Sequence, residues 1–162
     1  MKILALHADF IEFQPLTKAL KTAEEVPMDK KRVEECLVVF TSVEEGDTPA
    51  VVEEAKAEIV NIARQVKSDK IVIYPFVHLS SKPAKPDVAL THLKTMETIG
   101  GLQVTRAPFG WYKTFNIKIK GHPLSELSRV FEPSIKGPQK EVVSDSLKAE
   151  AELTSKFYMF TT

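Results

Sequence analysis

Four short apolar runs without helical periodicity predict β-strands. Residues 2–7 and the β-branched run 36–43 have strand length, and residues 102–107 begin another strand after a glycine pair. Residues 70–74 predict a buried strand that ends at Pro75, because proline cannot donate to a strand ladder. A β-sheet is therefore the expected framework.

Two longer segments have the character of helices. Within residues 50–66, apolar positions recur at spacings of three and four residues, at Val52, Ala55, Ile59, Ile62, Ala63 and Val66. Asp47 or Thr48 suits the N-cap of this helix, and Pro49 suits its first position. A second helix is predicted over residues 87–99, closed by the glycine pair.

Residues 111–120 alternate strictly, as a strand with one buried face does. One face carries Lys113, Phe115, Ile117 and Ile119. A charged amine on an apolar face is costly unless it is hydrogen-bonded or paired in a cleft, although a lysine can also bury its stem and extend its amine into water. Glu126 is a natural carboxylate partner for Lys113, or else an ordinary solvated residue.

The order of elements predicts an α/β or α+β domain, with two main helices packed on a β-sheet. Residues 1–135 are expected to form it, including a short helix over residues 124–131. The polar stretch 14–35 is expected to be loop or partial helix. Residues 136–162 are expected to be a linker helix and the start of the next domain of a longer protein.

Composition fits one soluble domain, since 43% of the 162 residues are hydrophobic and 27% are charged. No apolar run approaches the roughly 18 residues that span a bilayer, and charge comes too early for a signal peptide, so a cytoplasmic location is expected. Cys36 is the single cysteine, which excludes an internal disulfide, and its apolar surroundings predict burial. Residues 1–69 carry 14 acids and 9 bases, whereas residues 70–131 carry 3 acids and 9 bases. The second stretch either faces an anion such as RNA or is an ordinary surface.

Common catalytic motifs are absent from the sequence, which has no Walker loop, GxGxxG, HExxH or GxSxG pattern. The four histidines do not fall at helical ligand spacing, and no metal is expected. His78 follows a strand end in a loop with Ser80 and Ser81, where binding groups are commonly displayed. No acid is identifiable that would orient a serine–histidine pair, so His78 has either a binding role or a structural one.

Three segments together resemble one family: KILALHADFIEF, YPFVHLSSKPAKP and APFGWYKTFNIKIKGHPLSELSR. They are similar to the N-terminal editing domain of archaeal threonyl-tRNA synthetases, over roughly residues 1–132. The resemblance implies a D-aminoacyl-tRNA deacylase-like fold, a homodimer, and hydrolysis of the ester that joins L-serine to threonine tRNA. Such editing is needed because one missing methyl group is worth only about 1–3 kcal/mol of discrimination.

The resemblance implies that two residues take part in catalysis. Lys113 matches the family's principal functional lysine, and His78 belongs to the loop that lines the aminoacyl pocket. Substrate would be bound by the backbone of that loop, at Pro75, Phe76 and Val77. Val43 and Glu44 would belong to a segment that cradles the terminal adenosine. Tyr112, the aromatic residue before the lysine, and Glu126, the glutamate after GHPL, would also bind the substrate. No metal or cofactor is implied.

The implied mechanism is RNA-assisted. The 2′-hydroxyl of the terminal ribose would help to activate water, while the protein positions the ester and stabilises the developing oxyanion. Lys113 would orient serine and hold water or stabilise charge. The implied partners are threonine tRNA carrying serine, a second copy of the chain and the rest of the synthetase. The alternatives are a D-aminoacyl-tRNA deacylase and a noncatalytic tRNA-binding module.

Overall fold

The computed structural model describes residues 1–133 and the backbone of residues 139 and 140. In chain order its elements are β1 (Lys2–Lys18), β2 (Lys31–Ser42), α1 (Pro49–Val66), β3 (Lys70–Pro75), α2 (Pro86–Met96), β4 (Gln103–Arg106), β5 (Trp111–Ile119), β6 (Glu126–Val130) and β7 (Gln139–Lys140). A short 3-10 turn, Val77–Leu79, lies between β3 and α2. The expected linker helix and terminal strand lie beyond the described residues.

The strands form one mixed sheet in the order β4-β3-β2-β1-β6-β7, and β5 also pairs with β1. On one edge of β1, its first half pairs with β6 and its second half with β5, while β2 runs antiparallel along the other edge. β2, β3 and β4 are parallel and are linked by α1 and α2. The predicted α/β architecture, with two helices packed on a sheet, is confirmed.

The central strands are buried on both faces, which explains the continuous apolar character of β2 and β3. One side of the sheet packs against α1 and α2, and we call it the helix face. Its strand residues are Ile3, Ala5, Leu37, Val39, Ile71 and Ile73. The other side is the cleft face, formed by Leu6, Ala8, Ile11, Phe13, Cys36, Val38, Phe40, Val72, Tyr74 and Ala107. Cys36 is buried there, as predicted.

Both helices lie where the sequence predicts them, α1 from its periodicity and α2 from the glycine pair that closes it. The Thr48 hydroxyl caps α1 by accepting the Val51 N–H at 3.3 Å, and Pro49 occupies the first helical position. Lys67, in the left-handed conformation with φ 59°, ends the helix. α2 ends at Met96, three residues before the predicted end. Within the described residues, no helix is long and apolar enough to cross a membrane.

β1 and β2 are longer than predicted, so residues 14–18 and 31–35 are strand rather than loop. The two strands pair as far as Phe13 and Lys31, beyond the reach of the central core. Cross-strand contacts stabilise this extension, because Arg32 forms an ion pair with Glu12 at 2.9 Å. Each of these segments is largely charged and polar, so its sequence alone does not show that it pairs with another strand.

The short helix predicted over residues 124–131 is wrong, because residues 126–130 form strand β6. β5 covers the edge of β1 only from Ala8 onwards, which leaves backbone groups of the first half of β1 without a partner on that side. β6 satisfies them by antiparallel pairing. Leu127 and Phe131 then pack on the helix face.

Candidate active site

Lys113 stands on β5 opposite Pro15 of β1, and its side chain turns towards the cleft face. Its Nζ donates hydrogen bonds to the carbonyl oxygens of Pro108, at 2.8 Å, and Trp111, at 3.2 Å. The same atom lies 5.1 Å from the centroid of the Tyr74 ring. In the described part of the chain, no carboxylate forms an ion pair with this amine. The predicted place of Lys113 on the apolar face of β5 is confirmed.

The Lys113 amine is a preorganised hydrogen-bond donor. Burial lowers its pKa to about 8, since desolvation disfavours the charged form. The two carbonyl groups and the face of the Tyr74 ring partly compensate this cost. An ammonium group has three N–H bonds, so one remains for a ligand in the cleft.

Aromatic rings form the floor of the cleft beside this amine. The Phe40 ring is central, with its centroid 5.1 Å from that of Tyr74 and 5.7 Å from that of Phe115. Phe76 stacks on Phe40 at 4.9 Å. Phe115 is 43% exposed, so the floor is open to solvent. We call these four rings the aromatic floor.

The 3-10 turn carries His78 to the Phe76 ring of this floor. The Phe76 N–H donates to the carbonyl oxygen of Thr41 at 2.8 Å, which fixes the start of the turn against β2. His78 is exposed, with its ring centroid 5.2 Å from that of Phe76. Pro75 is buried at the end of β3, whereas Val77 is exposed on the turn. The structure therefore places Pro75, Val77 and His78 next to Phe76, which is one ring of the aromatic floor.

Val43 and Glu44 follow β2, and both side chains are engaged inside the protein. Val43 is buried on the helix face. Glu44 is only 4% exposed, with Oε2 accepting the Ser80 hydroxyl at 2.5 Å and Oε1 lying 3.1 Å from the Met1 ammonium. Burial alone would raise the pKa of Glu44, but these two donors outweigh it and the pKa is lowered.

Ser80 is not paired with His78 in a nucleophilic arrangement. Its hydroxyl donates to Glu44 and accepts the Lys82 N–H at 3.0 Å. The hydroxyl proton is thereby directed at a carboxylate rather than at an imidazole. The structure gives no support to a serine–histidine mechanism at these residues.

Two predicted site residues lie away from the Lys113 amine. Tyr112 precedes Lys113 on β5, points to the opposite side and is 63% exposed. Glu126 pairs with Leu6 of β1, whereas Lys113 pairs with Pro15, nine residues further along. At about 3.3 Å per residue, the two positions are about 30 Å apart along β1. The predicted approach of the Lys113 amine to Glu126 is wrong, because β6 occupies the other half of β1.

Sequence reasoning missed the aromatic floor and the bond between Ser80 and Glu44. The floor has a signal, since Phe40 and Tyr74 alternate with aliphatic residues on two strands that each precede a loop. The Ser80 contact has none, because it joins residues 36 positions apart through a loop.

The three histidines other than His78 each contact another group of the protein. His7 Nδ1 lies 2.7 Å from His122 Nε2, and His92 Nε2 lies 3.2 Å from the carbonyl oxygen of Asp47. Within the residues that the structure describes, no three His, Cys, Asp or Glu side chains converge as metal ligands do.

The basic excess of residues 70–131 is partly neutralised inside the fold. Arg106 binds Glu24 at 2.8 Å and Glu97 at 2.6 Å. Arg129 binds Glu58 at 2.7 Å. The Glu24 and Glu58 pairs join the acidic part to the basic part, whereas Glu97 lies in the basic part itself. This pairing weakens any inference of RNA contact from charge alone.

Fold and site together define an α/β domain that presents one lysine amine in an aromatic cleft beside an exposed histidine. A model of the archaea-specific editing domain of threonyl-tRNA synthetase matches residues 1–131. The chain belongs to this family, which gives it an editing role. The fold is thus the D-aminoacyl-tRNA deacylase-like fold that the resemblance implied.

Relatives agree with the family assignment, and a solved structure agrees with the fold. The threonine–tRNA ligase of Thermococcus onnurineus is 45% identical over 99% of this chain and 27% of its own length. That of Methanothrix thermoacetophila is 46% identical over 96% of this chain and 25% of its own length. The chain therefore spans about a quarter of these relatives. The solved structure of the c-Myc DNA unwinding element binding protein has the same fold, with a TM-score of 0.56 at 12% identity over 79% of this chain and 97% of that one.

Proposed function

We propose that this domain hydrolyses the ester that joins L-serine to threonine tRNA. Membership of the editing-domain family supports an editing role. The observation that carries the proposal is the Lys113 amine, which two backbone carbonyl groups hold above the aromatic floor. A fixed cation that burial has partly desolvated stabilises negative charge better than one in bulk water.

In this proposal, protein residues position the ester and the RNA supplies the activating group. The third N–H of Lys113 orients the seryl group or stabilises the oxyanion that forms when water attacks the ester carbon. His78 and the backbone of Phe76 and Val77 shape the pocket. The 2′-hydroxyl of the terminal ribose is already held beside the ester by covalent geometry, so it needs only orientation to assist the attacking water.

Deacylation of seryl and threonyl threonine tRNA tests the proposal. We expect seryl tRNA to be cleaved much faster than threonyl tRNA. Seryl tRNA with a 2′-deoxy terminal ribose should be bound and hardly cleaved. Faster cleavage of D-aminoacyl esters would instead indicate a D-aminoacyl-tRNA deacylase, and binding without hydrolysis would indicate a tRNA-binding module.

The chemistry proposed for this site does not use a metal ion. Treatment with EDTA, or addition of zinc or magnesium, should therefore leave the rate of seryl-tRNA cleavage within about twofold. Such ions require several carboxylate, imidazole or thiolate ligands, and no three such side chains converge within the described residues. Activity that is lost with EDTA and restored by one metal would contradict this.

Glu126 can join the Lys113 site only if a second copy of the chain supplies it, because the two residues pair with opposite halves of β1. The proposed homodimer would meet this requirement. Light scattering measures the mass of the purified domain, and a strictly monomeric domain with full activity would remove Glu126 from the site.

A further inference from the structure

The loop that carries His78 is tied back onto the end of β2. The Ala84 N–H donates to the carbonyl oxygen of Val43 at 2.9 Å, and the Glu45 N–H donates to that of Lys82 at 3.0 Å. Glu44 also forms an isolated β-bridge with Pro83. These bonds fix the far end of the loop, several residues beyond the 3-10 turn.

The 3-10 turn itself is weakly held by backbone bonds. Leu79 N lies 3.4 Å from the carbonyl oxygen of Phe76, close to the limit for a hydrogen bond, and Ser80 N lies 3.1 Å from that of Val77. Such turns have poorer hydrogen-bond geometry than α-helices. The backbone bond from Phe76 to Thr41 fixes only the start of the turn, so its end needs a further connection.

Ser80 supplies this connection directly after the turn. Its hydroxyl donates to Oε2 of Glu44 at 2.5 Å and accepts the Lys82 N–H at 3.0 Å. Glu44 is itself fixed, because its other oxygen contacts the Met1 ammonium and its N–H donates to Asp47 Oδ2 at 2.8 Å. A hydrogen bond to an ionised acceptor is about twice as strong as a neutral one.

We propose that Glu44 is a positioning residue, which acts through Ser80 to hold the 3-10 turn and His78 beside the aromatic floor. The side chain of Glu44 then has no direct contact with the substrate, in contrast to the adenosine-binding role that the resemblance implied. Ser80 is two residues from His78 and three from Val77, so loss of its bond displaces the pocket backbone. Displacements of about 1 Å at a reacting group lower rates by about 100-fold.

Four variants test this connection: Ser80→Ala, Ser80→Thr, Glu44→Gln and the control Ser81→Ala, which alters an exposed neighbour in the same loop. The first readout is amide hydrogen exchange of residues 77–81, which requires no enzymatic activity. We expect Ser80→Ala and Glu44→Gln to raise exchange at least tenfold. Ser80→Thr, which keeps the hydroxyl, and Ser81→Ala should remain close to the original protein.

Kinetics give the second readout, which rests on the proposed hydrolysis of seryl tRNA. Ser80→Ala should lower kcat by about 10- to 100-fold, with KM changed less than about threefold, and Ser80→Thr should restore kcat. A fifth variant, which combines Ser80→Ala with Glu44→Gln, should be no worse than Glu44→Gln alone, because both changes break the same hydrogen bond.

Unchanged exchange in Ser80→Ala would overturn the proposal. So would an effect confined to KM, since that result assigns Glu44 and Ser80 to substrate contact. If the domain cleaves no ester, the proposed function fails, and the exchange measurement still decides whether Glu44 positions the turn.

Discussion

The two faces of the sheet are built from alternating residues of the same strands, yet they differ in chemistry. The strand residues of the helix face are aliphatic and are covered by α1 and α2. The cleft face carries aromatic rings, one of them 43% exposed, and the Lys113 amine. The first arrangement gives stability, whereas the second leaves a polar group and the exposed ring of Phe115 for a ligand.

This sharing of strands explains how a cleft with an exposed floor keeps its geometry. Val39 and Phe40 are adjacent on β2, and Ile73 and Tyr74 are adjacent on β3, with each pair pointing to opposite faces. Packing of the aliphatic partner fixes the backbone from which the ring projects. Sites on rigid strands are positioned more precisely than sites on loops.

The largest expected effect is on stability, and it should be greater for a change on the helix face than for a change on the cleft face. Ile59 of α1 is fully buried against the helix face. Ile59→Ala should lower the free energy of unfolding by about 2–5 kcal/mol, since it removes buried atoms and leaves a cavity. Phe115→Ala should cost less than about 2 kcal/mol, because much of that ring is already in water. Urea denaturation measures both, and equal losses would contradict the distinction between the faces.

The next largest effect is on activity, where a change on the cleft face should matter more than a change on the helix face. Lys113→Met keeps the length and stem packing of the side chain but removes the amine. The kcat for seryl tRNA should fall about 100- to 1,000-fold, as on loss of one oxyanion donor. The free energy of unfolding should stay within about 1 kcal/mol, because the buried charge is lost together with its hydrogen bonds. Unchanged kinetics would remove Lys113 from the mechanism.

A smaller effect follows from the pKa of Lys113, which burial lowers to about 8. Between pH 8 and the ordinary lysine pKa of about 10.5, the unfolded chain binds the proton and the folded chain does not, so stability rises with pH. Relative to Lys113→Met, the original protein should therefore gain stability above pH 8. Its kcat advantage should decline over the same range, because the amine loses its charge. A kcat advantage that rises above pH 8 would indicate that Lys113 acts as a base.

The sequence predicted those features that follow from local patterning. Periodicity located α1, and alternation placed Lys113 on the apolar face of β5 before any contact was known. The prediction failed for β6, where the sequence LSELSRVF is compatible with a helix and only the unpaired edge of β1 selects a strand. The predicted approach of the Lys113 amine to Glu126 failed with it. Positions that depend on pairing between distant segments are not encoded in local patterns.

A histidine pair lies where β5 and β6 meet on the edge of β1, outside the cleft. His7 is 8% exposed, and its Nδ1 lies 2.7 Å from Nε2 of His122. The other ring nitrogen of His122, Nδ1, accepts the Leu124 N–H at 3.1 Å. His122 must therefore carry its proton on Nε2 and donate it to His7, so the neutral forms fit without conflict.

The last and smallest prediction is that this pair weakens the fold in acid without involving the cleft. Protonation of His7 would place an N–H group at its Nδ1 opposite the Nε2–H of His122, with no acceptor between them. Burial, His122 and Lys120 all lower the pKa of His7. As pH falls below about 6.5, the unfolded chain takes up the proton first, so the stability present above that pH is lost. His7→Asn should cost about 1 kcal/mol at pH 7.5, the typical worth of one hydrogen bond, and should flatten the dependence of the unfolding free energy on pH between 7 and 5. Urea denaturation across this range measures both quantities. An equally steep acid loss in His7→Asn would assign it to other groups, such as the Asp9 carboxylate, whose hydrogen bond from Lys120 lowers its pKa.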